Sequence, residues 1–292
     1  MSIEEIAKAI ENDLKGHLDA CGIMFRIFSR VKTPFSLAHK MSIKGDKYKQ
    51  GHKIQDIIGI RIVVYFPDDI EVAELLVNRS KVLDRSIDEP DSCTFQPSRL
   101  NITCHLPEQY VDEFREQLPE EYAQYIDDSY EVQIRTIYSE GWHEVEHDFR
   151  YKCKEDWVGY EDYSRTLNGV IATLETAEWS IKTLFMQMSY ENYRNGNFNA
   201  MLRNHLRIRL KGQGLSPELI TYLKNNRQTA LSVCYMDRLV FLFSLLCHKS
   251  YISLDYDTAL FLINRLDVQD MDLMLLESPE MKKKISDFLM DK

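Results

Sequence analysis

The stretch Lys53-Ile-Gln-Asp56-Ile-Ile-Gly59-Ile-Arg61-Ile-Val-Val64 decides how the first half of this chain is interpreted. Its β-branched run predicts a strand over Gly59–Phe66. Asp56 stands just before that strand, and Arg61 interrupts the apolar run, where a charge is costly unless it is paired or reaches into a cleft. The stretch therefore predicts a strand with a polar site at its mouth. A purely structural Asp56–Arg61 contact is the alternative.

Further strands and helices are predicted on both sides of this stretch. Runs rich in β-branched and aromatic residues predict strands at Gly22–Phe28, Leu100–Leu106 and Tyr130–Arg135. Two helices are predicted between them, at Phe35–Met41, directly after Pro34, and at Ile70–Val77. The fold class that follows is α+β, with a mixed β-sheet flanked by helices in a first domain of residues 1–157.

Beyond that domain the pattern is helical to the end, which predicts an all-α C-terminal region of residues 158–292. Apolar residues recur every three or four positions from Leu167 to Met188, as on one stripe of a long helix. Gly212 and the triplet Ser216-Pro217-Glu218 are typical of a helix end and a helix start. The other predicted helices lie at Ala200–Lys211, Asp267–Leu276 and Pro279–Met290.

The composition is that of an ordinary folded protein of 292 residues with a net charge of −10. Such a charge argues against non-specific coating of nucleic acid, which needs many cationic contacts. Six scattered cysteines without a CxxC pair are expected to be reduced thiols in a cytoplasmic protein. The N-terminus predicts an amphipathic helix rather than a signal peptide, and no apolar run approaches about 18 residues, so no membrane span is expected.

A cluster of cations follows the first predicted strand, in Arg30-Val-Lys32-Thr-Pro-Phe-Ser36-Leu-Ala-His-Lys40. Arg30 and Lys32 alternate and would share a face of an extended segment, while Ser36 and Lys40 would share a helix face. Three cations and a hydroxyl near a helix start are suited to a polyphosphate. The alternative is a solvated basic surface segment.

A row of polar residues follows in Glu131-Val-Gln133-Ile-Arg135. Strand alternation places the acid, the amide and the cation on one side, with Val132 and Ile134 on the other. Such a row is suited to the floor of a cleft, whereas a half-exposed strand is the alternative.

The next motif, Gly141-Trp142-His143-Glu144-Val-Glu146-His147, contains the H-E-x-x-H pattern. Two histidines at i and i+4 share a helix face and can bind zinc, so a zinc-dependent hydrolase is an alternative. It would need a third ligand, and it would leave the three other clusters unexplained.

Taken in order, these clusters resemble the synthetase domain of the RelA/SpoT family, and most of all its small alarmone synthetases. That family runs R-x-K-x-x-x-S-x-x-x-K, D-x-x-G/A-I-R, E-x-Q-I-R-T and W-x-x-x-E-H-x-x-x-Y-K, and each element is present between Arg30 and Lys152. The resemblance implies a nucleotidyltransferase-like sheet and a pyrophosphokinase. That enzyme moves the β,γ-pyrophosphate of ATP to the 3′-hydroxyl of a purine nucleotide, GDP or GTP, in the synthesis of (p)ppGpp.

The resemblance also implies a role for each matching residue. Arg30 and Arg61 would sandwich the adenine of ATP, and the polyphosphate would lie against Lys32, Ser36 and Lys40. Asp56 and Glu131 would hold Mg²⁺, with Glu131 also helping to deprotonate the attacking hydroxyl. Gln133 and His147 would lie towards the acceptor, and Arg135 completes the nucleotide-binding set. No N-terminal hydrolase domain of the bifunctional members is recognised.

One position departs from the family. Its members carry G-Y-x-S-x-H, whose Tyr stacks on the acceptor base, whereas this chain has Leu100-Asn101-Ile-Thr103-Cys-His105. An amide cannot supply the same stacking, which is worth about 1–3 kcal/mol per base. A different acceptor, stacking from Phe95 or Tyr151, and lost activity are the three explanations.

Two alternative functions therefore stand beside nucleotide pyrophosphorylation. The first is a toxin-like enzyme acting on the 3′ end of tRNA, because Arg203, Arg207 and Lys211 would share one face of the predicted helix. The alternative interpretation is that these residues form a solvated face of an amphipathic helix without a ligand. The second is a non-catalytic nucleotide-binding regulator. The sequence leaves the acceptor, a homo-oligomer and any protein partner open.

Overall fold

The computed structural model describes residues 1–88, 99–248 and 250–291. Among these residues the strands form one five-stranded sheet in the order β1-β2-β5-β4-β3. Within this described sheet β2 and β5 pair in parallel and the other three pairings are antiparallel, so the sheet is mixed as predicted. The strands are β1 Phe25–Val31, β2 Ile58–Val64, β3 Val82–Asp88, β4 Arg99–His105 and β5 Ser129–Thr136.

The two faces of this sheet differ in polarity because side chains alternate along each strand. One face is apolar and buried in the core. It presents Ile58, Ile60 and Ile62 of β2, Val132 and Ile134 of β5, and Ile102 of β4, none more than 1% exposed. The opposite face is polar, because the register aligns Gly59 with Glu131 and Arg61 with Gln133, and then Gln133 with Asn101. The candidate site lies on that second face.

The helices around the sheet begin where the sequence offers capping groups. Thr33 caps α2 by accepting a hydrogen bond from the Ser36 backbone N–H, and Pro34 occupies the first turn. Thr136 and Ser139 form a capping box at the start of α5. The helices are α1 Ile3–Cys21, α2 Pro34–Lys49, α3 Asp69–Val77, α4 Glu108–Glu116 and α5 Ile137–Glu146. A π-helical turn, His147–Tyr151, continues α5.

The remainder of the chain is helical, as predicted. Its elements are α6 Glu161–Arg194, α7 Phe198–Leu206, α8 Pro217–Asn225, α9 Arg227–Tyr235, α10 Arg238–Cys247, α11 Tyr256–Ile263, α12 Met271–Leu275 and α13 Pro279–Met290. The fold class is thus confirmed. Within the described residues no single helix has the length and composition to cross a membrane, although the bent pair α9 and α10 meets both criteria jointly.

The chain forms two compact units. The first comprises Met1–Gly16 and Phe25–Thr176, and the second comprises His17–Met24 and Ala177–Lys292. The second unit therefore combines a short N-terminal segment with a C-terminal segment that is distant from it in sequence. The division after residue 157 into a synthetase-like domain and a helical region stays a prediction.

Several predicted boundaries were wrong for identifiable reasons. The strand expected from Gly22 begins at Phe25, because Gly22 has a φ of +73°. The helix expected over Ala200–Lys211 ends at Leu206, because Arg207 adopts the left-handed conformation, with φ 50° and ψ 39°. Arg203, Arg207 and Lys211 therefore do not share a helix face, and Arg207 is buried. The helix expected at Asp267–Leu276 is interrupted at Gln269, which is also left-handed.

Candidate functional site

The polar face of the sheet borders a cavity of about 390 Å³. Strands β1, β2, β4 and β5 supply one wall, and α5 with the π-helical turn supplies the other. The lining residues are Arg30, Arg61, Asn101, Gln133, Arg135, His143, Glu144, Glu146, His147, Asp148, Tyr151 and Lys152. The structure thus brings five predicted site residues, namely Arg30, Arg61, Gln133, Arg135 and His147, to one cavity.

Asp56 is shared by two of the predicted phosphate-binding cations. The ammonium of Lys32 lies 2.8 Å from Oδ2, and that of Lys40 lies 2.8 Å from Oδ2 and 2.9 Å from Oδ1. Burial raises the pKa of the Asp56 carboxyl, but attraction and hydrogen bonds from both lysines outweigh it, so that the pKa lies below its ordinary value. Asp56 is therefore ionised at neutral pH. This triad brings together three predicted site residues from β1–α2 and the segment before β2.

Arg61 is held by two acids of α5 rather than by Asp56. Its guanidinium lies 2.6 Å from Oε1 of Glu140, contacts Oε1 of Glu144, and donates from Nε to Oε1 of Gln133 at 3.3 Å. Burial lowers the pKa of Arg61, but the two carboxylates raise it by more. The Asp56–Arg61 contact considered as an alternative from the sequence is therefore not the one that forms. Asp56 pairs with the two lysines, and Arg61 pairs with the two glutamates of α5.

Arg30 lies across Gly59 on the polar face. A Cβ built on Gly59 would stand 3.3 Å from Arg30 Nε and 3.4 Å from its Cγ, closer than most side chains approach. Because glycine has no side chain, position 59 leaves room for Arg30 to lie close to the backbone of β2. Arg30 is exposed, and it has no ion pair or hydrogen bond among the described residues. It is free to meet a ligand.

Glu131, Gln133 and Arg135 form a hydrogen-bonded row along β5, on one face as predicted. The Gln133 amide nitrogen donates to Oε2 of Glu131 at 2.7 Å, and Arg135 donates to Oε1 of Gln133 at 3.4 Å. Arg135 is only 7% exposed and lies 3.5 Å from Oε2 of Glu140. The row therefore connects the acid predicted to hold metal with the arginines of the cavity.

Residues of α5 and of the π-helical turn line the outer side of the cavity. His143 is buried, whereas His147 is half-exposed and bonded through Nδ1 to Asp148 at 3.1 Å. Within the residues that the structure describes, no group of three or more His, Cys, Asp or Glu side chains could hold a metal ion. Asp56 and Glu131 are two carboxylates on neighbouring segments, which suits Mg²⁺, a cation that takes one or two carboxylates together with phosphate oxygens.

The remaining predicted residues are placed as follows. The Ser36 hydroxyl accepts a hydrogen bond from Thr33 Oγ1 at 2.9 Å at the start of α2. Asn101 lines the cavity opposite Gln133, and its Oδ1 is buried without a hydrogen-bond partner. His105 lines a different cavity of about 370 Å³, with Ser80 and Tyr130. Phe95, considered above for stacking, lies outside the described residues.

Sequence reasoning missed Glu140 as a site residue and considered Glu144 only as part of a zinc motif. Both hold Arg61, which is about 80 positions earlier in the chain. Their spacing of four on a helix that follows the polar strand was the available signal.

One family model matches the part of the chain that contains the candidate site. Residues 29–156 match the family model described as the region found in RelA / SpoT proteins. No curated protein matches the chain.

Several solved structures resemble it at low identity. A GTP pyrophosphokinase family protein from Streptococcus pneumoniae is 20% identical, with a TM-score of 0.44, over 62% of this chain and 92% of that one. Small alarmone synthetase 1 from Bacillus subtilis, bound to its product pppGpp, is 22% identical, with a TM-score of 0.46, over 62% and 91%. Small alarmone synthetase 2 from the same organism is 23% identical, with a TM-score of 0.40, over 61% and 86%.

Proposed function

We propose that this chain, whose residues 29–156 form a RelA/SpoT-type region, transfers the β,γ-pyrophosphate of ATP to the 3′-hydroxyl of a guanine nucleotide. The observation that carries the proposal is the polar face of the sheet. There, one cavity of about 390 Å³ collects three arginines and Gln133, and Gln133 is bonded to Glu131. A transfer between two phosphorylated substrates needs alignment and charge neutralisation more than covalent catalysis, and these residue types supply both.

The donor half of the site would be built from the first cation cluster. Arg30 is exposed over Gly59, and a second cavity of about 150 Å³ lies between it and Arg61. A planar adenine between two guanidinium groups would be stabilised by stacking. The phosphates would then take Lys32, Ser36 and Lys40 as partners. For the two lysines this requires an exchange, because both ammonium groups are bonded to Asp56.

The metal would be held by Asp56 and Glu131. A magnesium ion held by these two carboxylates would supply charge neutralisation for the donor phosphates. With Lys32 and Lys40 in place, the pKa of Asp56 lies below its ordinary value and the carboxylate is ionised. If the two lysines turn to the phosphates, a bound cation would have to supply the charge that keeps this buried carboxylate ionised.

The transfer itself balances with the residues present. The acceptor 3′-oxygen forms a bond to the β-phosphorus of ATP, and the bond from that phosphorus to the α,β-bridging oxygen breaks, releasing AMP. The hydroxyl proton passes to a base, for which Glu131 is placed at the end of the hydrogen-bonded row. Gln133, Arg135 and His147, which line the cavity, would face the acceptor.

The test is an assay with ATP labelled in its β- and γ-phosphates, Mg²⁺, and GDP, GTP or tRNA offered in parallel. We expect label on GDP or GTP together with stoichiometric AMP. Glu131→Gln should abolish transfer while ATP still binds, whereas Glu116→Gln, an exposed acid on α4, should leave it unchanged. The proposal is rejected if no nucleotide is labelled under conditions in which the protein binds ATP.

The same assay separates the two alternatives. Label on tRNA would identify the toxin-like activity, although its structural motivation is weaker because Arg207 is buried and α7 ends before it. Nucleotide binding without any transfer would identify a regulator, for which Asn101 in place of the stacking Tyr is the motivation.

A further inference from the structure

Glu140, in the first turn of α5, stands between two arginines of the large cavity. Its Oε1 lies 2.6 Å from a guanidinium nitrogen of Arg61, and its Oε2 lies 3.5 Å from Nε of Arg135. Arg61 belongs to β2 and Arg135 to β5, which are neighbouring parallel strands. One carboxylate, only 16% exposed, therefore spans two strands of the sheet.

The two contacts of this carboxylate are unequal. Oε1 accepts a hydrogen bond from Arg61, whereas Oε2 is buried and accepts none. A hydrogen bond between a guanidinium and a carboxylate is normally about 2.7–2.9 Å long, so a relative shift of roughly 0.7 Å would close the second contact. A buried acceptor without a donor is unfavourable, so closing this contact would stabilise the arrangement in which both arginines are held.

Glu144, one turn further along α5, is the natural comparison for Glu140. It contacts the same nitrogen of Arg61, but its side chain is 56% exposed. Among the described residues, Glu144 forms an ion pair with Arg61 alone. Both acids therefore hold Arg61, whereas of the two only Glu140 also reaches Arg135.

We propose that Glu140 is a positioning residue that couples nucleotide binding on the two sides of the cavity. The inference rests on the proposed function, which assigns the donor to Arg61 and the acceptor to the polar row that contains Arg135. A donor stacked on Arg61 would fix its guanidinium and with it the Glu140 carboxylate, so that Oε2 is held in place for Arg135. An acceptor that orders Arg135 would fix the same carboxylate from the other side. Each nucleotide should therefore raise the affinity for the other by the same factor, as thermodynamic linkage requires.

Calorimetric titration of the full chain in the presence of Mg²⁺ tests the coupling, with GDP and α,β-methylene-ATP as probes. The methylene group blocks the bond cleavage that transfer needs, so binding is measured alone. In wild type, saturation with either nucleotide should raise the affinity for the other about fivefold to tenfold. Glu140→Gln removes the charge that holds both arginines, so it should weaken each nucleotide and reduce the coupling factor to about 1. Glu144→Gln, the matched control, should weaken the ATP analogue and leave the coupling factor unchanged.

Glu140→Asp is the second variant. Aspartate keeps the charge but is shorter by one methylene group, so it can pair with Arg61 or with Arg135 and cannot span both. The affinity for the ATP analogue alone should change less than in Glu140→Gln, while the coupling factor should again fall to about 1. This variant separates the span of the carboxylate from its charge, and it keeps the test open where Glu140→Gln fails to fold.

Binding and transfer are measured separately, so the two proposals fail in different ways. Independent binding of the two nucleotides to wild type would overturn the inference. So would a coupling factor that is unchanged in both Glu140 variants or equally reduced in Glu144→Gln, and so would wild type that binds only one nucleotide at millimolar concentration. Transfer to GDP together with independent binding would leave the proposed function standing. Coupled binding that depends on Glu140, without transfer to any nucleotide, would support the inference and reject the proposed function.

Discussion

Asp56 binds two ammonium groups with one carboxylate, and this should make it a source of stability in addition to its proposed role as a metal ligand. Asp56→Asn leaves Lys32 and Lys40 facing each other without a compensating charge. We expect the free energy of unfolding at pH 7 to fall by about 1–3 kcal/mol. The matched control is Asp46→Asn, whose carboxylate is 94% exposed and pairs loosely with Lys49, and it should change stability little.

The pH dependence of that difference has a defined direction. Because the folded-state pKa of Asp56 is lowered, its contribution is complete above the ordinary value of 3.8 and is lost as the pH falls through the folded-state pKa. Urea unfolding of wild type and Asp56→Asn between pH 7 and pH 3 should therefore show two stabilities that converge only below about pH 4. A difference that is constant over this range would contradict the assignment.

Gly59 is expected to control the donor site through Arg30. Gly59→Ala requires Arg30 to move by only a few tenths of an ångström, since the nearest atoms lie at 3.3 and 3.4 Å. Gly59→Val adds two further carbon atoms in the space of the guanidinium and should displace it. We predict a KM for ATP raised about tenfold in Gly59→Val and nearly unchanged in Gly59→Ala. Equal values in steady-state kinetics would show that Arg30 does not contact the donor.

For individual site residues, the sequence predicted those arrangements that depend on neighbours along the same strand or on a recognised motif. The one-face row of Glu131, Gln133 and Arg135 follows from strand alternation alone. The partners of Arg61 did not follow, because a distant helix supplies them and no local pattern couples β2 to α5.

Among the elements, α5 determines where two of the cavity acids stand, so its first turn should matter to the site. The Thr136 hydroxyl accepts from the Ser139 N–H at 3.2 Å, and the Ser139 hydroxyl accepts from the Thr136 N–H at 3.1 Å. Thr136→Ala should lower the free energy of unfolding by about 1 kcal/mol relative to Thr136→Ser, which loses the same methyl group but keeps the cap. Urea denaturation of both variants measures this difference, and equal stabilities would argue against the cap.

Gln269 offers a stabilising change in the second unit. It ends the π-helical turn Asn264–Val268 with a φ of +56°, and its side chain is exposed. Glycine adopts this conformation without the penalty of a Cβ, so Gln269→Gly should raise the free energy of unfolding by about 0.5–1 kcal/mol. Gln269→Ala keeps the Cβ and should give no gain. A stability of Gln269→Gly below wild type in thermal unfolding would be the contrary result.

The elements that the sequence did not predict share a physical cause. Strand β3, Val82–Asp88, is an edge strand with charged residues at 84, 85 and 88, so its composition is that of an exposed loop until β4 pairs with it. Helix α7 ends at Leu206, where Arg207 adopts the left-handed conformation. The sequence did not predict this end, because the apolar period continues to Leu210 and a left-handed residue other than glycine cannot be recognised from its type.

For the whole molecule, the division into two units predicts that the first unit cannot be obtained as a stable fragment by removing the C-terminal residues alone. Residues 17–24 belong to the second unit, where the Gly22 carbonyl accepts from the Arg209 N–H at 2.8 Å and where Leu18, Cys21 and Ile23 are fully buried. A fragment of residues 1–176 would expose these apolar side chains. We expect it to aggregate on gel filtration, and Leu18→Ser with Ile23→Ser to reduce the aggregation. A soluble, cooperatively unfolding fragment would contradict this prediction.

The pattern of apolar residues along the sequence could not show that residues 17–24 belong to the second unit. The N-terminal helix has one continuous amphipathic period, and nothing in that period distinguishes the partners of its two ends.

The ion pairs of the site also have a consequence for how binding responds to salt. Lys32 and Lys40 share one carboxylate, and Arg61 is bonded to two, so the resting site carries less uncompensated charge than its cations alone imply. A polyphosphate that enters the site would replace the protein carboxylates as the partner of these cations. Few solvent anions would be released, because few are bound to cations that are already paired. The affinity for ATP should then fall only slightly between 50 and 200 mM salt, and a protein of net charge −10 would still bind an anion at physiological ionic strength.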